Sequence, residues 1–139
     1  AICKTQNIIT IADEVMTGFG KTGKKFASDY IHTKPDIISM SKSLTAGFVP
    51  MAVTSSTQKI YDAFLDDSIG KAFFHAHTYS ANPIACSVAL AAIELLESDT
   101  IQNNIERIIA SHKSFDHKIK NHPKLSATER NVMPFFIIL

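Results

Sequence analysis

Residues 7–12, Asn-Ile-Ile-Thr-Ile-Ala, form a nearly continuous apolar run rich in β-branched side chains. Such a run suits a strand covered on both faces, as in a parallel sheet. It stops abruptly at Asp13-Glu14. Open α/β sheets bind ligands at the carboxyl ends of their strands, where those two carboxylates would stand. A second apolar run, Ile37 to Met40, follows the break at Pro35, and a third, Met-Ala-Val-Thr-Ser, spans 51–55. Both read as short strands.

Helical spacing dominates the rest. Thr57 is positioned to cap a helix reaching about Leu65, with Ile60, Tyr61, Phe64 and Leu65 inward. Asn82-Pro83 has the form of an N-cap followed by a first-turn proline. Ile84, Val88, Ala91, Ala92, Leu95 and Leu96 trace the buried stripe of that helix. Asp99 opens the next, with Gln102 three residues on as in a capping box and Ile101, Ile105, Ile108, Phe115 and Ile119 on its apolar face. Phe26 and Tyr30 are spaced to face inward from a short helix or turn over 24–30. Strand, loop, strand, loop, strand, helix and two long helices is the order of an α/β protein.

Three places carry chemistry. Asp13 reads either as a carboxylate aimed at a cationic ligand group or as a turn or cap residue. Lys42 follows the second strand in Ser-Met-Ser-Lys-Ser-Leu-Thr-Ala-Gly. It reads either as a desolvated, nucleophilic amine or as a solvated surface lysine. Residues 73–82, Phe-Phe-His-Ala-His-Thr-Tyr-Ser-Ala-Asn, crowd hydrogen-bonding groups together, as an anion or substrate pocket would. A polar loop satisfying its own backbone would look the same. The three glycines in Val-Met-Thr-Gly-Phe-Gly-Lys-Thr-Gly, residues 15–23, lack phosphate-loop spacing and suit an irregular loop with positive φ.

Composition narrows the classes. A net charge of +1 offers no footprint for nucleic acid or a membrane surface. His75 and His77 have no Cys or carboxylate at metal-ligand spacing, so no metal is expected. Cys3 and Cys86 are far apart and read as thiols of a reducing compartment. No apolar run of about 18 residues marks a membrane span. A cytoplasmic location is the expectation.

Taken in order, Ile-Ile-Thr-Ile-Ala-Asp-Glu-Val-Met-Thr-Gly-Phe-Gly-Lys-Thr-Gly, then Pro-Asp-Ile-Ile-Ser-Met-Ser-Lys-Ser-Leu-Thr-Ala-Gly, then His-Ala-His-Thr-Tyr-Ser-Ala-Asn-Pro-Ile-Ala-Cys resemble the class III (ω-amino acid type) pyridoxal-phosphate-dependent aminotransferases. The likeness covers about residues 7–97. It implies a fold type I pyridoxal-phosphate transferase, here part of the large domain, with a mostly parallel sheet flanked by helices. Lys42 would carry pyridoxal 5'-phosphate on its amine and move the proton at the donor carbon. Asp13 would pair with the ring nitrogen, and Val15 would lie against a ring face. Thr78 would bind the phosphate from the other subunit of a homodimer, with His77 beside it. Ala76 would line the substrate pocket where many relatives have Gly. Within the family, the motifs are most similar to the biotin-synthesis branch, which implies S-adenosylmethionine as amino donor. Enzymes acting on ornithine, acetylornithine or 4-aminobutyrate are the alternatives, as is an inactive truncated remnant.

The likeness also implies missing parts, including a phosphate loop, a stacking aromatic and a carboxylate-binding arginine. The chain starts without Met and ends Phe-Phe-Ile-Ile-Leu, so it reads as a fragment of a longer protein. Residues 1–123 would be part of the large domain. Residues 124–139 would be a linker and the truncated start of a small domain, the last five residues forming a strand. Alone, such a chain is expected to be inactive.

Overall fold

The structure, a computed structural model, describes residues 2–31 and 33–119. The expected linker, small-domain start and terminal strand fall outside the described residues. A single turn of helix, α1 (Ile2–Thr5), precedes three strands: β1 (Ile11–Glu14), β2 (Ile37–Met40) and β3 (Val53–Ser56). They form one sheet in the order β1-β2-β3. Helices α2 (Gln58–Asp62), α3 (Pro83–Glu97) and α4 (Asp99–Ile119) follow. The α/β order is as expected.

β1 and β2 run parallel, with Ile11 opposite Ile37 and Asp13 opposite Ser39. β3 returns antiparallel to β2, with Ile38 opposite Ser55, so the described sheet is mixed rather than mostly parallel. The reason lies in the connection. A parallel return needs a crossover, usually a helix. The β2–β3 link instead holds a 3₁₀ turn at Lys42–Thr45, then Ala46 and Gly47 with φ of 50° and 83°, which reverse the chain.

Strand starts are set by Thr10, Asp36 and Ser41. The Thr10 N–H and hydroxyl both donate to Asp36 Oδ2 at 2.8 Å, and the Asp36 and Ile37 N–H groups donate to the Thr10 carbonyl at 3.0 Å. Thr57 N–H donates to the Asp36 carbonyl at 2.9 Å, tying in the end of β3. β1 therefore begins at Ile11, not at Asn7, whose φ of 54° belongs to the turn after α1. Met51 precedes β3 because its carbonyl accepts the Ser41 hydroxyl, 2.8 Å, instead of a ladder bond.

Burial differs from the sequence expectation more than element type does. Ile8, Ile9 and Ile11 are 55, 56 and 66 % exposed. β1 is an edge strand here, packed chiefly on β2 and on the 3₁₀ turn Ala27–Tyr30, so its two faces are not both covered. Tyr30 does not face inward; its hydroxyl donates to the Thr22 carbonyl at 2.6 Å. α2 ends at Asp62, Thr57 makes no side-chain cap, and Tyr61, Phe64 and Leu65 are exposed. In α3 the covered stripe runs through Ala85, Ala89, Ala92 and Leu96, leaving Ile84, Ala91 and Leu95 outside. Small alanines bring α3 close to the Lys42–Thr45 turn, where Leu44 is the buried partner of Ala89's helix.

α4 turns back against the glycine-rich loop. A Cβ on Gly20, whose φ is +91°, would meet Ile105 Cδ1 at 3.1 Å. Gln102 does not close a capping box on Asp99. Its side-chain amide donates to the Leu96 carbonyl, 2.6 Å, joining the two helices. Phe115 is exposed rather than inward.

Asn82 caps α3 as its sequence suggests, its Oδ1 accepting Ile84 N–H at 3.0 Å and Ala85 N–H at 3.2 Å. Asn82→Ala should cost about 1 kcal/mol in denaturant unfolding followed by circular dichroism, whereas Asn82→Asp should lose little.

Candidate functional site at the carboxyl end of the parallel strands

Parallel pairing sends β1 and β2 out of the sheet at the same end. Asp13 lies opposite Ser39, and Lys42 stands three residues beyond Ser39 as the first residue of its 3₁₀ turn. The register thus brings a carboxylate and an amine to one end of neighbouring strands. They do not bond one another: no hydrogen bond or ion pair among the described residues joins them. Both are exposed. Asp13 Oδ1 accepts the Val15 N–H at 3.1 Å, a local turn that leaves Oδ2 open.

The Lys42 turn is clamped at both ends by hydroxyls. Ser41 Oγ donates to the Met51 carbonyl, and Thr45 Oγ1 donates to the Val49 carbonyl at 2.6 Å. Thr45 is 2 % exposed, and α3 packs against the same turn. The lysine backbone is therefore held even though its amine is free to meet a ligand.

Side chains alternate along a strand, so the neighbour of an outward Asp13 points inward. Glu14 is that neighbour and is 2 % exposed. Its Oε2 accepts the Thr17 hydroxyl and the Ala27 N–H at 3.0 Å, and its Oε1 accepts the Ser28 N–H at 2.6 Å. Its carbonyl accepts the Gly18 N–H at 3.0 Å. Burial alone would raise its carboxyl pKa. The hydrogen bonds from Thr17, Ser28 and Ala27 outweigh that and hold it below the usual 4.5. The sequence placed both carboxylates at the ligand end of the strand; Glu14 turns inward instead, because neighbouring side chains of a strand face opposite ways.

The segment carrying Ala76, His77 and Thr78 is exposed and organised on itself. His77 Nδ1 accepts the Tyr79 N–H at 3.0 Å, and the His77 carbonyl accepts the Ser80 N–H at 2.9 Å. No hydrogen bond or ion pair among the described residues joins this segment to Asp13, Val15 or Lys42. A shallow cleft elsewhere, between Gly20, Gly23 and Lys25 on one side and Leu96, Glu97 and Ile105 on the other, is bridged by the Lys25–Glu97 ion pair. None of the three chemistry-bearing places lines it.

Residues 1–128 match the family model for class-III aminotransferases. The chain is 43% identical over 122 residues to the adenosylmethionine-8-amino-7-oxononanoate aminotransferase of Staphylococcus aureus, covering 87% of this chain and 27% of that protein. It is 42% identical over 110 residues to a vanillin aminotransferase of Capsicum frutescens, covering 78% of this chain and 24% of that one. The crystal structure of the adenosylmethionine-8-amino-7-oxononanoate aminotransferase of Methanocaldococcus jannaschii superposes with a TM-score of 0.74 at 40% identity, over 86% of this chain and 28% of that chain. The chain thus spans about a quarter of the length of the curated relatives it matches. Its described α/β arrangement matches part of the fold of these aminotransferases. No helix among the described residues is long and apolar enough to cross a membrane.

Glu14 and Asp36, the latter held below 3.8 mainly by its two bonds from Thr10, give stability a definite pH dependence. A carboxyl with a lowered folded pKa contributes fully above its unfolded value, and that contribution is lost as pH falls through the folded value. Unfolding midpoints should therefore fall between about pH 5 and pH 2. Glu14→Gln and Asp36→Asn should each flatten that fall in urea titrations at stepped pH.

Proposed function

The chain belongs to the class-III aminotransferase family, and from that premise we propose that it forms part of a pyridoxal-phosphate-dependent enzyme that moves an amino group from a donor to a carbonyl acceptor. The observation that carries this reading is the parallel register, with Asp13 opposite Ser39 and Lys42 on the turn that follows. The donor set fits the cofactor. An aldehyde needs a primary amine with no partner, and a protonated ring nitrogen needs a carboxylate oxygen with no partner. Lys42 Nζ and Asp13 Oδ2 meet those needs among the described residues. Bound there, pyridoxal 5'-phosphate supplies an electron-poor ring that takes up the electron pair left when the donor carbon loses its proton.

The residues divide the remaining work. Lys42 would hold the cofactor through its amine and, with that amine free, would move a proton at the donor carbon. Asp13 accepts the ring N–H and keeps that nitrogen charged. Val15 covers one face of the ring. Thr78 holds the phosphate by hydroxyl and N–H, with the His77 backbone beside it. Both would come from the other subunit of a homodimer; among the described residues neither bonds to Asp13 or Lys42. Ala76 narrows the substrate pocket.

For the substrates we propose S-adenosylmethionine as donor and 8-amino-7-oxononanoate as acceptor, giving 7,8-diaminononanoate for biotin synthesis in the cytoplasm. The names of the S. aureus and M. jannaschii relatives support this. Near-equal identity to a vanillin aminotransferase supports a second reading, a class-III enzyme with a different acceptor. Purified enzyme offered 8-amino-7-oxononanoate or vanillin separates the two.

Borohydride reduction in the presence of pyridoxal phosphate should attach the cofactor to the peptide bearing Lys42, as read by mass spectrometry. Attachment at another lysine would overturn the assignment. Lys42→Ala should abolish labelling and lower transamination by at least about 100-fold. The 139-residue chain alone should turn over far more slowly than the S. aureus enzyme.

A further inference from the structure

Glu14 is the most completely enclosed charged side chain among the described residues, and the proposed chemistry does not use it. An enclosed carboxylate must have donors. Its donors come from two separate stretches: Thr17, just beyond the strand, and Ala27 and Ser28, on the far side of the glycine-rich loop. One side chain thus closes the whole 15–28 excursion onto the end of β1. The segment it closes starts with Val15, whose N–H holds Asp13 Oδ1 at 3.1 Å. Between them lies the Gly18 N–H bond to the Glu14 carbonyl, 3.0 Å, which fixes the same turn from its backbone side. Gly18 is itself confined, since a Cβ there would meet the Glu14 carbonyl at 3.0 Å and the Phe26 ring at 3.3 Å.

We propose that Glu14 is a positioning residue: by gathering Thr17, Ala27 and Ser28 beneath the strand end, it holds the turn whose Val15 N–H aims the Asp13 carboxylate at the cofactor's ring nitrogen. The last clause rests on the aminotransferase reading; the hold on Val15 and Asp13 does not. An isosteric amide cannot substitute. Gln has one acceptor oxygen, and its NH₂ would face either the Ala27 or the Ser28 N–H, leaving a donor unpaired. Asp13 is exposed and would otherwise sample several rotamers, so its direction depends on this local turn.

The test is NMR of the cofactor-free protein as its own cell makes it, with pH titration of the Val15 amide. That amide should follow the ionisation of Asp13 in the unaltered protein and in Thr17→Ser, which keeps the hydroxyl. In Glu14→Gln and in Thr17→Val, the Val15 response should be lost. Should Glu14→Gln fail to fold, Thr17→Val decides, because it leaves the carboxylate and its two backbone bonds in place. An unchanged Val15 titration in Thr17→Val and Glu14→Gln overturns the proposal. A second arm uses ¹⁵N-labelled pyridoxal phosphate. The protonation constant of the ring nitrogen should drop about tenfold, one pKa unit, in Glu14→Gln. If the unaltered protein binds no pyridoxal phosphate, the aminotransferase reading fails while the Val15 titration still decides the role of Glu14.

Discussion

Everything about the candidate site depends on how β1 is set against β2, and Thr10 and Asp36 set it. Five hydrogen bonds among these two residues and Ile37 close the entrance to the parallel pair. Side chains in a strand alternate, so a slip of one residue would exchange inside for outside along β1. Asp13 would turn under the sheet and Glu14 would face the site. The Asp36 carboxylate is thus remote from the chemistry and yet decides which acid meets it. The Thr57 N–H donates to the Asp36 backbone carbonyl and carries the same constraint to the end of β3.

The strands and the two long helices were legible because their signals are local. Asn82-Pro83 specifies a helix start by hydrogen bonding within a few residues, and Ile37–Met40 is apolar enough to be a strand in almost any setting. What failed were some of the statements about burial, which depends on what packs alongside: Val88, Ala92, Leu96, Ile101, Ile105 and Ile108 are partly covered as expected, whereas Ile84, Leu95 and Phe115 are exposed. Ile84 and Leu95 fit the periodicity of an inward stripe as well as Ala85 and Ala92 do. α3 packs on the Lys42–Thr45 turn, and the covered residues of the helix include Ala85, Ala89 and Ala92. The apolar residues of β1 met the same fate, since an edge strand covers only part of what its composition invites.

The candidate site was legible in its parts and not in its assembly. Asp13 and Lys42 announce themselves as polar residues after apolar runs, and strand register places both at one end of the sheet without joining them. Thr78 is just as visible in sequence, but no hydrogen bond or ion pair among the described residues joins it to the other two. Glu14 shows the opposite failure. A carboxylate beside another at a strand end looks redundant in sequence, and only three-dimensional closure of the 15–28 loop gives it three donors.

The division of labour at the strand end follows from electrostatics. A buried acid with three donors stays ionised and immobile, which suits a scaffold. An exposed acid with one local donor keeps an oxygen to offer, which suits a ligand contact. Lys42 presents the same contrast within a single residue. Its backbone is pinned by the Ser41 and Thr45 hydroxyls and by α3, while its side chain stands in solvent. A lysine amine becomes a strong nucleophile when it is desolvated. Among the described residues this chain places that amine and leaves it uncovered, and in the proposed enzyme a cover would come from a partner subunit. The exposed Phe48, Phe73 and Phe74 near the Lys42 turn and the Thr78 segment in sequence are the kind of apolar side chains such a cover would bury. A held backbone beneath an open amine is what the proposed shared site would require of the 42–45 turn.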